Sequence, residues 1–290
     1  MRPLALLMLA GGSTMLTTSC ATSGTGSPLV LQARTRTAAG PADETLRWDP
    51  RKTAVVVVDM WDDHWCKGAA KRVVELAKAM DPILRSARER GMFILHAPSS
   101  TVAFYKDHPA RKRAQAAPFA KSPAPITSDL RWGTGWCWPD KPREPDLPID
   151  DSDMGCDCAT TCAIREAWTR QIDLLHVDPA RDAISDDGQE TWNLLKERSV
   201  ENVIVMGVHL NMCVLGRPTA IRQLVRHGLR VVLARDLTDS MYNHRKKPHV
   251  VHHAGTDLVV EHVERWWCPS ISSTSLTGRP AFRFSDDPRP

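Results

Sequence analysis

Uninterrupted apolar runs separated by helical segments are the feature that most constrains how this chain can fold. Three of them, "TAVVVV" at 53–58, "MFILHA" at 92–97 and "NVIVMG" at 202–207, show no alternation of apolar and polar residues. Such runs are typical of parallel strands covered on both faces, because strands with one solvated face alternate. We predict two further strands, "QIDLL" at 171–175 and "RVVLARD" at 230–236.

Segments with helical spacing lie between these runs. Residues 69–90 carry apolar side chains three or four positions apart and end at Gly91, and 188–198, 212–227 and 256–266 are also predicted to be helical. Strands that alternate with helices form right-handed βαβ units. The predicted fold class is therefore α/β, with an open, mainly parallel sheet and helices on both faces in a Rossmann-like, three-layer arrangement.

The length and composition fit one globular domain with appendages. Of 290 residues, 42% are hydrophobic and 25% are charged, so the chain can form a full core. The net charge of +4 is spread along the chain and gives no reason to expect a nucleic-acid partner. We place a linker at 22–50, the domain at 51–272 with an insertion at 98–163, and a C-terminal tail at 273–290.

Residues 1–21 have the features of an export signal: an early positive charge, a short apolar stretch and small residues leading to Cys20. We therefore expect an exported protein, periplasmic or extracellular. The segment also resembles a bacterial lipoprotein signal, in which a lipidated Cys20 would anchor the chain to a membrane, although Leu16 and Thr17 depart from the usual motif. Ordinary cleavage near Cys20–Ala21 and a disordered cytoplasmic tail are the alternatives.

Six cysteines remain when Cys20 and Cys213 are set aside. In an oxidising compartment they suggest disulfides, whose pairing the sequence does not define. The cluster "CDCATTC" at 156–162 has thiol spacing that could hold a metal, but it lacks a second cysteine pair or histidines at zinc-site spacing. Buried thiols are the third alternative. The six are Cys66, Cys137, Cys156, Cys158, Cys162 and Cys268.

Three reactive side chains lie where predicted strands end. Asp59 follows the first run, His96 lies near the end of the second, and Cys213 begins the helix after the third. Open parallel sheets bind ligands beyond the carboxyl ends of their strands. A helix N-terminus lowers the pKa of a thiol and offers backbone amides to an oxyanion, and Asp59 could accept the thiol proton. His96 would contact substrate or only cap its strand.

Two stretches resemble the signatures of the isochorismatase-like cysteine hydrolases, a superfamily that includes nicotinamidases. They are "AVVVVDMWDDHWCKG" at 54–68 and "NVIVMGVHLNMCVLGRPTAIRQLVRHGLRVVLARDLT" at 202–238. The resemblance implies that Asp59 is the general base and Cys213 the nucleophile. It also implies a cis peptide at Val208–His209, oxyanion donors in the backbone amides of His209 and Cys213, and no cofactor.

The chain departs from the family at two places. The lysine of the family's Asp-Lys-Cys triad precedes an "[SD]-A-F" triplet by four residues. Here the triplet reads "DAI" at 182–184, which puts Asp178 where the lysine should be. Arg181 is close enough in sequence to replace the lysine, and His209 could instead pair with Cys213. The nicotinamidase "D-x-H" metal motif is replaced by "HAPSS" at 96–100, so we expect neither nicotinamidase activity nor its metal.

The expected function is cleavage of a C–N, amide-type bond of a small-molecule substrate through a thioester on Cys213. Two alternatives remain: an altered or inactive relative that binds a small ligand, and a vinyl-ether hydrolase acting on an isochorismate-like substrate. The possible pocket residues are Trp61, Asp63, His64, His96, Asp178, Arg181 and Asn211.

The insertion at 98–163 is expected to form an ordered lid that sets substrate choice, because it leaves the sheet at the ligand-binding edge. Its tryptophans, Trp132, Trp136 and Trp138, would contribute apolar contact area to the pocket. The alternative is a surface excursion used for subunit contact in a homo-oligomer.

Overall fold

The computed structural model describes residues 27–126 and 133–289, in which eight strands form one sheet. The strand order is β2-β1-β8-β7-β6-β3-β4-β5, and the run from β8 to β5 is parallel. The predicted α/β class and mainly parallel sheet are therefore confirmed. The strands are β1 (Leu29–Thr37), β2 (Gly40–Trp48), β3 (Thr53–Val58), β4 (Phe93–Ala97), β5 (Ala183–Ile184), β6 (Asn202–Val208), β7 (Arg230–Asp239) and β8 (Ser270–Ile271).

Helices cover both faces of this sheet and divide the core in two. Val55 and Val57 of β3 face the core beneath α1, whereas Val56 and Val58 face the core beneath α3, α4 and α5. Every residue of β3 is consequently buried, which explains its unbroken apolar run. The helices are α1 (Lys67–Glu89), α2 (Pro109–Ala116), α3 (Gly188–Glu197), α4 (Ile221–Arg226), α5 (His252–Trp266) and α6 (Thr274–Thr277).

The segment predicted to be a linker forms a hairpin in its described part. β1 and β2 pair antiparallel, and β1 joins the sheet edge through Ala33 and Ile271. Leu29, Leu31 and Ala33 are buried and alternate with exposed residues. The linker prediction for 22–50 was wrong here. The segment is rich in small polar residues, and these mask the alternation of buried apolar and exposed residues along β1.

The predicted strand at 171–175 is also wrong. Gln171 makes only an isolated bridge to Trp61, and the chain then turns so that Ile172 and Leu175 enter the core beneath α1. A short apolar run fits a buried turn as well as a strand. The edge strand is instead β5, two residues long, within the "DAI" triplet.

The helix predicted at 212–227 is interrupted. A π-helical turn spans Leu210–Val214, and α4 begins only at Ile221. Pro218 lies between the two pieces, where its ring and missing N–H oppose a continuous helix. In the C-terminal tail, Phe282 and Phe284 pack against the core on the α1 side.

The seven cysteines within the described ranges form no disulfide. Cys20 and the rest of the predicted export signal lie outside the described residues. In the part of the chain that the structure describes, no helix is both long and apolar enough to span a bilayer.

Candidate active site

β3 and β6 are adjacent parallel strands, and their carboxyl ends bring Asp59 and Cys213 to one edge of the sheet, as predicted. Val58 pairs with Gly207 at this end. A Cβ on Gly207, whose φ is +115°, would lie 2.1 Å from the carbonyl oxygen of Val58. Only glycine fits this approach, and it is followed by the expected cis peptide at Val208–His209.

Asp59 is held firmly as β3 ends. Its own N–H donates to Ala97 at 3.1 Å, and its Oδ1 accepts the Ser99 N–H at 2.7 Å. Its φ of 48° lies in the left-handed region, which non-glycine residues seldom occupy and which is common at functional sites. The carboxylate is fully buried.

The Cys213 thiol lies next to both the Asp59 carboxylate and the Arg217 guanidinium, and each of these groups shifts the pKa of the thiol. Arg217 also lies against Asp59, with 3.7 Å between Nε and Oδ2, and Asp186 is a second acid near the guanidinium. These side chains come from the ends of two strands and the turn after β6. They form a compact acid–thiol–cation cluster.

Burial dominates the titration of this cluster. It raises the pKa of the Asp59 carboxyl, against the attraction of Arg217. Burial and the neighbouring Asp59 likewise raise the pKa of the Cys213 thiol, and Arg217 again opposes the shift. The lowered thiol pKa expected from a helix N-terminus is therefore not found, because the turn is short and the thiol is buried.

The predicted cation was misplaced. Arg181 is largely exposed and pairs with Asp178 at 2.7 Å on the surface, so neither residue lines the pocket. Arg217, and not the candidate Arg181, lies beside Asp59 and Cys213. Its sequence signal was the spacing of four residues from Cys213, which brings two side chains to one side of a helical turn.

His96 does not reach the pocket either. It is fully buried, and its ring lies 2.9 Å from Gln171 Oε1 and 3.1 Å from Asp182 Oδ2. Arg88 of α1 binds the same Asp182 carboxylate at 2.6 Å. His96 thus belongs to a polar network beneath α1. Its position at the end of β4 did not indicate on which face of the sheet its side chain lies.

A cavity of about 340 Å³ opens above Cys213. Its wall contains Trp61 and Trp168, whose rings stack 4.3 Å apart, and His64, which stacks on Trp168 at 5.5 Å. The prediction of Trp61 and His64 agrees with this lining. The lining residues are Trp61, His64, Trp65, Ser100, Met154, Ile164, Arg165, Glu166, Trp168, His209, Met212, Cys213, Arg217 and Met241.

Both histidines of the pocket are neutral. Burial lowers the pKa of His64 to about 4, and it lowers that of His209 well below the usual value. His64 Nδ1 accepts the Cys66 N–H, so the ring proton lies on Nε2. His209 Nε2 is buried without a protein partner and remains available to a bound molecule.

Two other predicted pocket residues lie outside the lining. Asp63 binds Lys67 near the surface, with its Oδ1 2.6 Å from the ammonium. Asn211 is buried behind the pocket, where it accepts the Met241 N–H at 2.9 Å and donates to Asp151. Asn211 thereby positions the turn that carries Met241 rather than contacting the cavity.

The pocket-lining segment, residues 154–168, closes one side of the cavity. It begins within the predicted insertion and continues to Trp168, which the sequence analysis did not select. Trp138, by contrast, is exposed and lies away from the cavity. Trp132 and the side chain of Trp136 lie outside what the structure describes.

Comparisons with known proteins place the central segment in a family. Residues 181–255 match the isochorismatase domain, and no curated protein matches the sequence. Among solved structures, a cysteine hydrolase from Pseudomonas syringae pv. phaseolicola 1448A is 17% identical with a TM-score of 0.44, covering 76% of this chain and 88% of that one.

Two further structures are similar at lower scores. N-carbamoylsarcosine amidase from Thermoplasma acidophilum is 11% identical with a TM-score of 0.35, covering 64% of this chain and 83% of that chain. An isochorismatase-like hydrolase from Alkaliphilus metalliredigens is 14% identical with a TM-score of 0.37, covering 73% and 90%. The segment that matches the isochorismatase domain carries Cys213, Arg217 and the cis peptide.

Proposed function

We propose that this protein hydrolyses a C–N bond of a small amide through a thioester on Cys213. The observation that carries the proposal is the buried contact of the Cys213 thiol with both Asp59 and Arg217 at the base of the cavity. A thiol becomes a nucleophile when a neighbouring base removes its proton and a cation stabilises the thiolate. Asp59 and Arg217 supply these two groups.

In this reaction Asp59 accepts the thiol proton as Cys213 attacks the amide carbonyl carbon. The carbonyl oxygen becomes an oxyanion, and the backbone amides of His209 and Cys213 are the proposed donors to it. The C–N bond then breaks, and Asp59 returns its proton to the leaving nitrogen. Water, deprotonated by Asp59, attacks the thioester, and Cys213 leaves as the thiol with that proton.

Arg217 has the role that the family assigns to its lysine. Burial favours the protonated forms of the thiol and the carboxyl, and the guanidinium opposes this shift in both groups. An arginine remains protonated at any physiological pH, so this cation is permanent. Arg217 therefore stabilises the negative charge at each stage, whether Asp59, the Cys213 thiolate or the tetrahedral intermediate carries it.

The cavity favours a neutral substrate with a flat apolar part. Trp61 and Trp168 offer aromatic surface, and His64 and His209 offer uncharged polar atoms. Of the two lining arginines, Arg217 is paired with Asp59 and feels Asp186, and Arg165 shares the lining with the acidic Glu166. An isochorismate-like dicarboxylate would find little compensating charge here, so the amide is the better candidate.

The test is a screen of small primary amides and N-carbamoyl compounds with the full-length protein, Cys213→Ala and Cys268→Ala. Cys268 is another buried cysteine, remote from the cavity. We expect the parent and Cys268→Ala to release ammonia or amine and to form an acyl adduct that mass spectrometry places on Cys213. The Cys213→Ala variant should do neither.

Two outcomes would refute the proposal. Turnover by Cys213→Ala would show that the thiol is dispensable, as expected for a vinyl-ether hydrolase. Saturable ligand binding without turnover or adduct in the parent would instead identify a non-catalytic relative.

A further inference from the structure

Four cysteines converge beside the N-terminus of α1. Cys66 is the residue that caps this helix, and the other three belong to the pocket-lining segment. The Sγ atoms of Cys66, Cys156 and Cys158 all lie within 4.8 Å of one another. The Cys162 thiol lies nearby, within electrostatic reach of Cys156 and Cys158 but outside that compact group of three. Residues 90 positions apart in the sequence thus meet through their sulfur atoms.

The spacing of the sulfur atoms identifies what the group is suited to bind. The Cys66 and Cys158 Sγ atoms are 3.8 Å apart. A disulfide needs about 2.05 Å between its sulfur atoms. Zinc–sulfur bonds of about 2.3 Å in a tetrahedron place neighbouring sulfur atoms about 3.8 Å apart. The observed separation therefore matches two ligands of one tetrahedral ion.

A backbone amide in the first turn of α1 donates to one of these sulfur atoms. The Gly68 N–H lies 3.2 Å from Cys158 Sγ. N–H groups of a first helical turn have no partner within the helix, and they stabilise negative charge. This amide therefore supports a thiolate at Cys158, the form in which cysteine binds metals.

Asp157 fixes the loop that presents two of the thiols. Its carboxylate binds Arg72 of α1 at 2.8 Å and lies close to the helix backbone. A Cβ on Gly68 would be 2.7 Å from Asp157 Oδ1, so a side chain there would push the loop away. Gly68 and Arg72 thus hold the loop in the one position that brings Cys156 and Cys158 to Cys66.

We propose that Cys66, Cys156, Cys158 and Cys162 form a tetrathiolate site for a soft divalent cation, zinc, and that this ion fastens the pocket-lining segment to α1. Four thiolates without an open position are typical of structural zinc sites. Binding releases the thiol protons as four sulfur–metal bonds form, with no change in oxidation state. The ion thereby joins two parts of the chain that both line the cavity.

The experiment measures metal directly and does not depend on activity. The full-length chain is purified from zinc-supplemented cells under reducing conditions, and its metal content and that of a cobalt-substituted sample are compared with Cys158→Ser, Cys162→Ser and Cys268→Ser. We expect one zinc ion per chain and a cobalt spectrum with thiolate-to-metal charge transfer and tetrahedral d–d bands. Both cluster variants should lose the metal, whereas Cys268→Ser should keep it.

The parent spectrum keeps the test decisive if Cys158→Ser does not fold. Cys162 is only half-buried and lies outside the compact group of three, so its replacement should disturb the fold little. Metal-free parent protein would overturn the proposal, as would peptide mapping that finds these four residues in disulfides. Zinc retained at full stoichiometry in both cluster variants would place the ion elsewhere and would also overturn it.

Discussion

Arg217 comes from a different part of the chain than the cation that the resemblance led us to expect. The family lysine would come from a segment before β5, where this chain has Asp178 on the surface. Arg217 comes instead from four residues after the nucleophile, and it contacts both Asp59 and Cys213. The cation is therefore supplied from the other side of the cluster.

Removing this charge should make Cys213 less reactive. In Arg217→Gln we expect the thiol pKa to rise further, because the group that opposes burial is lost. A rise of one unit lowers the thiolate fraction about tenfold, so alkylation by iodoacetamide near pH 7 should slow by about that factor or more. Arg217→Lys keeps the charge and should retain most of the rate.

The control is Arg226→Gln, which removes an exposed arginine of α4 that binds Asp140. It should leave the alkylation rate and its pH profile unchanged. Equal rates for the parent and Arg217→Gln, with both proteins folded, would contradict the role assigned to the guanidinium.

Gly207 is a second residue whose identity the site requires. In Gly207→Ala the new methyl group would collide with the Val58 carbonyl, in addition to the strain of a positive φ. Gly228→Ala is the matched control, since Gly228 also has a positive φ but has open space around its Cβ position. We expect Gly207→Ala to lower the free energy of unfolding by roughly 1–3 kcal/mol more than Gly228→Ala does. Denaturant unfolding measures the difference, and equal losses would show that the close approach is unimportant.

At the scale of elements, a buried carboxylate of the insertion binds residues of α4 and α5. Glu144 accepts hydrogen bonds from Arg222 of α4 at 2.7 Å, from His262 of α5 at 2.6 Å and from Trp267 at 2.7 Å. Burial raises the pKa of Glu144, but these donors outweigh it and hold the pKa at about 2. The carboxylate is thus charged in the folded protein throughout the ordinary pH range.

Replacing Glu144 by Gln should cost about 3–5 kcal/mol of stability at pH 7, because it removes the buried carboxylate that pairs with Arg222. The pH dependence should change too. A lowered carboxyl pKa stabilises the fold above the unfolded value of about 4.3, and this contribution is lost as pH falls towards 2.

Urea unfolding between pH 7 and pH 2 should therefore show a shallower acid loss for Glu144→Gln than for the parent. Asp146→Asn is the control, since Asp146 lies on the same loop and is exposed. A variant that retained both the parent's stability and its acid slope would mean that Glu144 does not attach the insertion.

Elements with long, regular patterns could be predicted from the sequence, and those defined by their partners could not. The apolar runs of β3, β4 and β6 are recognisable in the sequence because each strand is buried on both faces. β5 is only two residues long, and it is a strand only because it pairs with the edge of β4. The same distinction applies to the site. The predicted strand ends indicated where Asp59 and Cys213 lie. The directions in which the side chains of His96, Arg181 and Arg217 point depend on tertiary contacts, which the sequence does not show.

For the whole molecule, we propose that residues 1–21 direct export and that Cys20 is lipidated. In a bacterium that processes lipoproteins, the chain should be cut beside Cys20, label with fatty acid and fractionate with membranes. Cys20→Ser should abolish the label and the membrane association, whereas Cys268→Ser should retain both. An uncut chain in the cytoplasm would contradict export, and a cut, soluble, unlabelled parent would contradict lipidation alone.

The stacked rings of Trp61 and Trp168 have a consequence for how such a protein can diversify. One ring follows the strand that carries the base, and the other ends the segment that closes the cavity. Under the proposed function, substrate recognition is therefore divided between a part that carries the reacting groups and a part that does not. We expect substitutions at the lining positions 164–168 to change which acyl or amine group fits while the reacting atoms keep their places, so that related proteins share one reaction and differ in substrate.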